Sequence, residues 1–271
     1  WTTLVLLSGV LSLLASTGFA DTVEQGLGQM PAPIKDRTRA MIQKGVPGED
    51  AIKLVQAMVA NRFQEEQVLR AQAIVLEAQG RALPTKPVIN KAFEGMAKQV
   101  APERTLQAME AVSSRYAFAF DHARSITKNT EQVGRLGNML AESLAAGLKE
   151  QDASQVMSRL QEQSLNTNQD RMNELAAACL SMARDMARLG VSSTLSSQVI
   201  SNALSNGLDA AGIASMHQSL LAQSQTHSAQ AVAQGLAQGM QHGQTVQGLG
   251  GTTGGQSGTD GHGGSGGSGG A

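Results

Sequence analysis

The sequence predicts an all-α protein built from divergent helical hairpins, and three observations lead to this prediction. Apolar residues recur three or four positions apart along most of residues 21–225, which is the period of a helix buried on one face. Short breaks containing Gly, Pro, Asp or Thr interrupt this period where helices would start and stop. No segment has the alternating pattern of a strand bounded by hairpin turns. We therefore expect the hairpins to pack as a bundle or a short superhelix.

A Gly-Val step followed by the same apolar spacing indicates that one helical unit is used several times. The stretch MIQKGVPGEDAIKLVQAM (41–58) is echoed by MARLGVSSTLSSQVISNAL (186–204), and looser copies follow GRALP and cover residues 138–160. The spacing between copies is irregular, so a strict solenoid is not expected. The alignment predicts equivalent buried positions, on the first helices of successive hairpins, for four residues: Val59, Met96, Leu144 and Leu204.

The residues at the breaks have the chemistry of helix ends. Gly147 and Gly207 suit left-handed caps at helix C-termini, where a side chain would be strained. Asp152 and Asp209 follow them at short range, and both are predicted to be N-caps of the next helix. Pro102 suits the first turn of a helix, where its missing N–H leaves no bond unmade.

Composition divides the chain into four segments. Residues 1–20 contain the uncharged run LVLLSGVLSLLA followed by small residues, the pattern of a secretory signal peptide whose basic n-region is missing. Residues 21–225 form the predicted helical-hairpin repeat domain. Residues 226–242 are a polar segment rich in Gln, Ala and Gly with helical potential, and residues 243–271 form a Gly/Ser-rich tail that we expect to be disordered. We expect an exported protein, periplasmic or extracellular, without a transmembrane helix in its mature chain.

Charge and cysteine content exclude some classes of partner. The formal net charge is −1, and the chain has no basic run of the kind that nucleic-acid binding requires. From Gly190 onward the only charged residues are Asp209 and Asp260. Cys179 is the single cysteine, so no internal disulfide can form, and its Ala/Leu/Met neighbours favour burial over pairing between chains. A protein partner is the expected class, while its identity and the oligomeric state stay open.

The segment RYAFAFDHAR (115–124) is the candidate binding site. It concentrates aromatic residues in a chain that has few, and it flanks them with arginines, the residue types that dominate binding hot spots. The residues proposed for binding are Tyr116, Phe118, Phe120, Arg115 and Arg124. On a helix, the first and third aromatic residues share a face and Phe118 points elsewhere. The alternative interpretation is a central helix that is buried on two sides.

The sequence contains no motif for catalysis. There is no Gly-x-Ser-x-Gly, no phosphate-binding glycine loop and no His-Glu-x-x-His. Met182 and Met186, spaced as on one helix face, suit flexible core packing better than a soft-metal site, and neither a metal nor a cofactor is expected. The favoured hypothesis is a non-catalytic interaction or scaffold protein of the cell envelope. Its rivals are a carrier of a lipid or other apolar ligand in a groove lined by Met and Phe, and an enzyme of unrecognised type.

Overall fold

The computed structural model describes residues 22–164 and 168–241, and within these ranges the chain is helical and contains no strand. The all-α prediction is therefore confirmed. The predicted signal peptide and the predicted disordered tail lie outside the described residues. The helices are α1 (residues 22–27), α2 (Ala32–Gln43), α3 (Gly48–Ala60), α4 (Glu65–Gly80), α5 (Lys86–Ala97), α6 (Pro102–Ile126), α7 (Thr130–Ala146), α8 (Glu150–Ser164), α9 (Gln169–Arg188), α10 (Ser193–Ser205), α11 (Ala210–Gln223) and α12 (Ala229–Gln241).

The helices form two layers in which most helices pack on the second one along the chain. In one layer α2, α4, α6, α8, α10 and α12 lie side by side in that order. In the other, α3 packs on α5, and α7, α9 and α11 follow one another; α6 joins the two groups by packing against both α5 and α7. Stacked helical hairpins produce this pattern, because each hairpin contacts mainly its neighbours. The arrangement fits the predicted hairpin array.

Hydrogen bonds between helices repeat the same pattern. Among the described residues, side-chain hydrogen bonds between helices join residues 30 to 45 positions apart, from Gln56 with Gly26 to Ser197 with Asp152. The exceptions are the bonds that Glu24 makes near the start of the described chain. A separation of one hairpin length means that each unit is fastened to the next one and not to distant parts of the chain.

One local structure ends seven of the helices. At each of these ends a residue with positive φ is followed by an apolar residue, whose N–H bonds the carbonyl five positions earlier at 2.9–3.1 Å. This is the Schellman motif, which satisfies carbonyls that the last turn leaves free. In six of the seven motifs the apolar residue packs in or against the core; Val100 is the exception and is partly exposed. The motifs end at Val46, Phe63, Leu83, Val100, Leu148, Val191 and Leu208.

We call the Schellman motif with its apolar residue a joint. The joint explains why the Gly-Val step recurs in the sequence, and two expectations drawn from that repeat need correction. The four aligned residues all lie four positions before the apolar residue of a joint, so their alignment is right. Met96 and Leu204 are buried and Leu144 packs against the core, but Val59 is 42% exposed. It lies about 100° around α3 from the buried Met58, at the margin of the apolar face. Leu204 is on α10, in the layer opposite to that of the other three residues.

The predicted caps have mixed outcomes. Gly147 and Gly207 both have positive φ and end α7 and α10 as expected. Asp209 is the N-cap of α11, where its carboxylate accepts a hydrogen bond from the Gly212 N–H at 2.8 Å. The prediction for Asp152 was wrong, because it lies inside α8 and its carboxylate accepts hydrogen bonds from the hydroxyls of residues on α10.

Two glycines of neighbouring helices lie in tight contact with helix α6. A Cβ atom on Gly95 of α5 would lie 2.6 Å from the Thr105 hydroxyl oxygen, and a Cβ atom on Gly137 of α7 would lie 2.5 Å from the Phe120 ring. Neither distance is compatible with an unmoved neighbour. The absence of a side chain at these two positions therefore sets how deeply α6 sits against α5 and α7.

The core is built mainly from aliphatic residues and methionine. Ten of the 12 methionines are buried, and Met30 and Met139 pack against the core at its edge. Met182 and Met186 are both fully buried, which agrees with a packing role. Cys179 is also fully buried, and burial raises the pKa of its thiol to about 12. Across the described residues, none of the helices combines the length and apolar character that crossing a bilayer requires.

Candidate functional site

Two of the three aromatic residues of the candidate site face α7. The Phe120 side chain, 6% exposed, packs its ring on Gly137, where the helices approach closely enough to exclude a Cβ atom. The Tyr116 ring lies one turn earlier, with its centroid 6.2 Å from that of Phe120. Tyr116 is half-buried, and burial, followed by the nearby Glu142 carboxylate of α7, raises the pKa of its phenol.

The third aromatic residue lies beside a histidine that faces α8. The ring centroids of Phe118 and His122 are 4.5 Å apart, and the His122 Nε2 atom lies 3.3 Å from the Ser154 hydroxyl of α8. Burial lowers the pKa of His122, so the neutral ring is favoured. The C-terminal half of α6 therefore has neighbours on two sides, which is the geometry of the alternative interpretation.

The flanking Arg124 is held by contacts within the fold. Its guanidinium donates to the carbonyl of Arg81 at 2.8 Å and to the carboxylate of Asp121 at 2.9 Å. It also lies 5.8 Å from the centroid of the Phe120 ring, within range of a cation–π contact. Arg81 donates to the same Asp121 carboxylate at 2.9 Å. Arg124 thus attaches the C-terminal end of α4 to α6.

The five predicted residues do not form one continuous surface. Phe120 and Arg124 are committed to packing, whereas Arg115, Tyr116 and Phe118 are half-buried and retain some accessible surface. A binding role for the segment stays a prediction, and it depends on those three residues. The groove beside Phe120 has a volume of about 370 Å³ and combines that ring with Val133, two cations and two threonines.

A charged network joins α7, α9 and α11 and was not predicted from the sequence. The Arg184 guanidinium contacts the carboxylates of Glu142 and Asp185, both at 3.1 Å. The His217 Nε2 atom lies 3.2 Å from Asp185 without the alignment of a hydrogen bond. Burial lowers the pKa of His217, and the Asp185 charge opposes this only in part. The contact between α7 and α9 joins residues 42 positions apart and the contact between α9 and α11 joins residues 32 positions apart, so no local pattern could have revealed them.

Two larger grooves lie in the C-terminal half. One, of about 830 Å³, is lined by charged residues of α8 and α9 and by the start of α11. The other, of about 420 Å³, lies between α10 and α12 and is lined chiefly by glutamines: Gln198, Gln230, Gln234, Gln238 and Gln241. No methionine lines either groove or the one beside Phe120.

The described residues contain no cluster of three or more His, Cys, Asp or Glu side chains that could hold a metal ion. No family model matches the chain, and no curated protein or solved structure is significantly similar to it. The function is therefore inferred from the chain's own residues and geometry.

Proposed function

We propose that the protein is an exported, non-catalytic scaffold of the cell envelope that binds another protein. The observation that carries the proposal is the one-hairpin separation of the hydrogen bonds between helices, from 30 to 45 residues. A chain fastened only between neighbouring units is an array, and arrays of helical hairpins offer extended surfaces to partners. Export rests on the predicted signal peptide at residues 1–20.

The location of the methionines favours a scaffold over a carrier of apolar ligands. A carrier needs a cavity lined mostly by apolar side chains with a few polar groups. Here the methionines are part of the core, and charged or amide side chains contribute to the lining of each of the three grooves described above. Phe120 is the one aromatic residue at the edge of any of the three, and it shares that groove with Arg124 and Lys128.

Cross-linking in intact cells tests the proposal. Cells of the native host are treated with a short amine-reactive cross-linker, and the tagged protein is purified under denaturing conditions. We expect a discrete adduct with one protein. Absence of a protein adduct, together with a stoichiometric lipid extracted from the natively purified protein, would support a carrier instead.

The aromatic segment is tested with the same adduct. If Tyr116 and Phe118 contact the partner, replacing either by Ala should reduce the adduct while the melting temperature falls only slightly, because both are half-buried. The Phe120→Ala variant is the structural control, with an expected loss of about 3–5 kcal/mol of stability. Normal adduct formation by folded Tyr116→Ala and Phe118→Ala variants would exclude the segment as the binding surface.

A further inference from the structure

The groove between α10 and α12 is lined by amides and hydroxyls and carries no charge. Its lining includes five glutamines, with Ser192 and Thr194 at one end and Leu195 and Ala237 as apolar contacts. The Gln230 side-chain oxygen accepts a hydrogen bond from the Ser192 N–H at 2.9 Å. The other four glutamines are exposed, and their amides make no hydrogen bond within the described part of the chain.

The spacing of the glutamines on α12 matches the repeat of an extended peptide. Gln230, Gln234 and Gln238 lie four residues apart, which places them on one side of the helix at intervals of about 6 Å. An extended chain presents backbone groups of the same orientation every second residue, at intervals of about 6.6 Å. Each glutamine amide can both donate to a carbonyl and accept from an N–H. Successive glutamines can therefore bond alternate residues of one peptide.

The framework fixes the helix that carries these side chains. Val232, Leu236 and Met240 bury the opposite face of α12. Two asparagines, one in α10 and one directly after it, fix the last turns of α12, because Asn202 donates to the carbonyl of Ala237 at 3.2 Å and Asn206 to that of Met240 at 3.3 Å. The row of glutamines is thus attached to a helix whose rotation and position are set, which lowers the entropic cost of binding.

We propose that this groove binds an extended, uncharged peptide segment of the partner protein through its backbone. The inference rests on the proposed scaffold function and names the chemistry of its partner. A charged segment would lose solvation in the groove without meeting an opposite charge. The lining contains no aromatic side chain on which a sugar ring could stack, so a peptide fits better than a saccharide.

Nuclear magnetic resonance of the full mature chain, residues 21–271, tests the inference. The probe is the capped octapeptide acetyl-(Ser-Val)4-amide, followed through the side-chain amide signals of the groove glutamines. The comparison variant is Gln234→Ala/Gln238→Ala, which keeps good helix formers on α12. The matched control is Gln107→Ala/Gln218→Ala, which removes two exposed glutamines from other helices. Melting temperatures establish that all variants are folded.

We expect the probe to shift the groove signals, and its affinity to fall about tenfold in Gln234→Ala/Gln238→Ala and to stay unchanged in the control. The probe methylated on alternate backbone nitrogens should bind more weakly, because it lacks donors. Equal binding by both variants, equal binding of a Ser-Lys octapeptide, or shifts caused by maltohexaose instead of the peptide would overturn the inference.

Two further outcomes assign the groove to other occupants and also overturn the inference. Binding that appears only after deletion of residues 243–271 would assign it to the chain's own C-terminal segment. Dimerisation that Gln234→Ala/Gln238→Ala abolishes would assign it to a second copy. If cross-linking in cells gives a protein adduct but the peptide does not bind the groove, the groove assignment is wrong and the scaffold function stands. If there is neither a protein adduct nor peptide binding, both proposals are wrong.

Discussion

Replacing Gly137 by Ala should show how closely α6 and α7 pack. A Cβ atom at this position would lie 2.5, 2.6 and 2.9 Å from three atoms of the Phe120 ring. The ring is buried, so it cannot swing into solvent to make room. The matched control is Gly134→Ala, one turn earlier on the same helix, where a Cβ atom would meet nothing within 4 Å.

The two variants differ in contact but not in helix propensity. Ala is favoured over Gly in a helix interior by about 1 kcal/mol, so Gly134→Ala should gain about that much. Gly137→Ala gains the same amount and loses about 1–3 kcal/mol to overpacking. We therefore expect the second variant to be about 1–3 kcal/mol less stable than the first, which corresponds to a melting temperature lower by about 2–12 °C.

Thermal and urea unfolding followed by circular dichroism measure this difference. A double variant in which Phe120→Leu accompanies Gly137→Ala should recover part of the loss, because the smaller side chain leaves space for the new methyl group. Equal stability of the two alanine variants would refute the close packing of α6 on α7. It would also remove the evidence that the Phe120 ring packs tightly on Gly137.

Three further predictions concern a helix end, a thiol and a histidine. Ala82 has a φ of +52° at a joint where Gly is favoured, so Ala82→Gly should raise the unfolding free energy by about 0.5–1 kcal/mol in urea titrations, whereas Gly45→Ala should lower it. Cys179 is fully buried with its pKa raised to about 12, so iodoacetamide should label it only at the rate of unfolding, and rapid labelling of folded protein would contradict its burial. Burial lowers the pKa of His217 from its ordinary 6.5, so the neutral ring stabilises the fold fully above that pH and the stabilisation is lost as the pH falls below it. The melting temperature should consequently fall more between pH 7 and pH 5 in the natural protein than in His217→Gln, and equal slopes would show that the histidine is not coupled to folding.

The helical content and the joints could be predicted because their causes are local. Apolar spacing along a helix and a Gly-Val step at its end act over a few residues, and the step recurs as the same hydrogen-bonded motif. The place of each helix in the array could not be predicted in the same way. Leu204 has the same position relative to its joint as Val59, yet its helix lies in the other layer. A local motif carries no information on which neighbour covers a helix.

The candidate site shows the same limit. The cluster of aromatic residues was visible in the sequence, but the partners that determine their roles come from other helices. The Phe120 ring packs on Gly137, and the Arg124 guanidinium donates a hydrogen bond to the carbonyl of Arg81. The four-residue spacing of glutamines on α12 is visible in the sequence, but the groove is not, because its other wall, with Gln198, comes from α10. Residues 226–242 were predicted to be polar with helical potential, and α12 lies within them; its packing on α10 had no signal in the sequence.

Native mass spectrometry of the mature protein, purified from the envelope of its own host without denaturant, tests the proposed scaffold function most directly. We predict that part of the protein carries a second polypeptide at a fixed stoichiometry, and that the remainder has the mass of the bare chain. Gentle collisional activation should release an intact protein from the complex. A chain that retains no polypeptide and instead releases a lipid or another small apolar molecule would contradict the scaffold function.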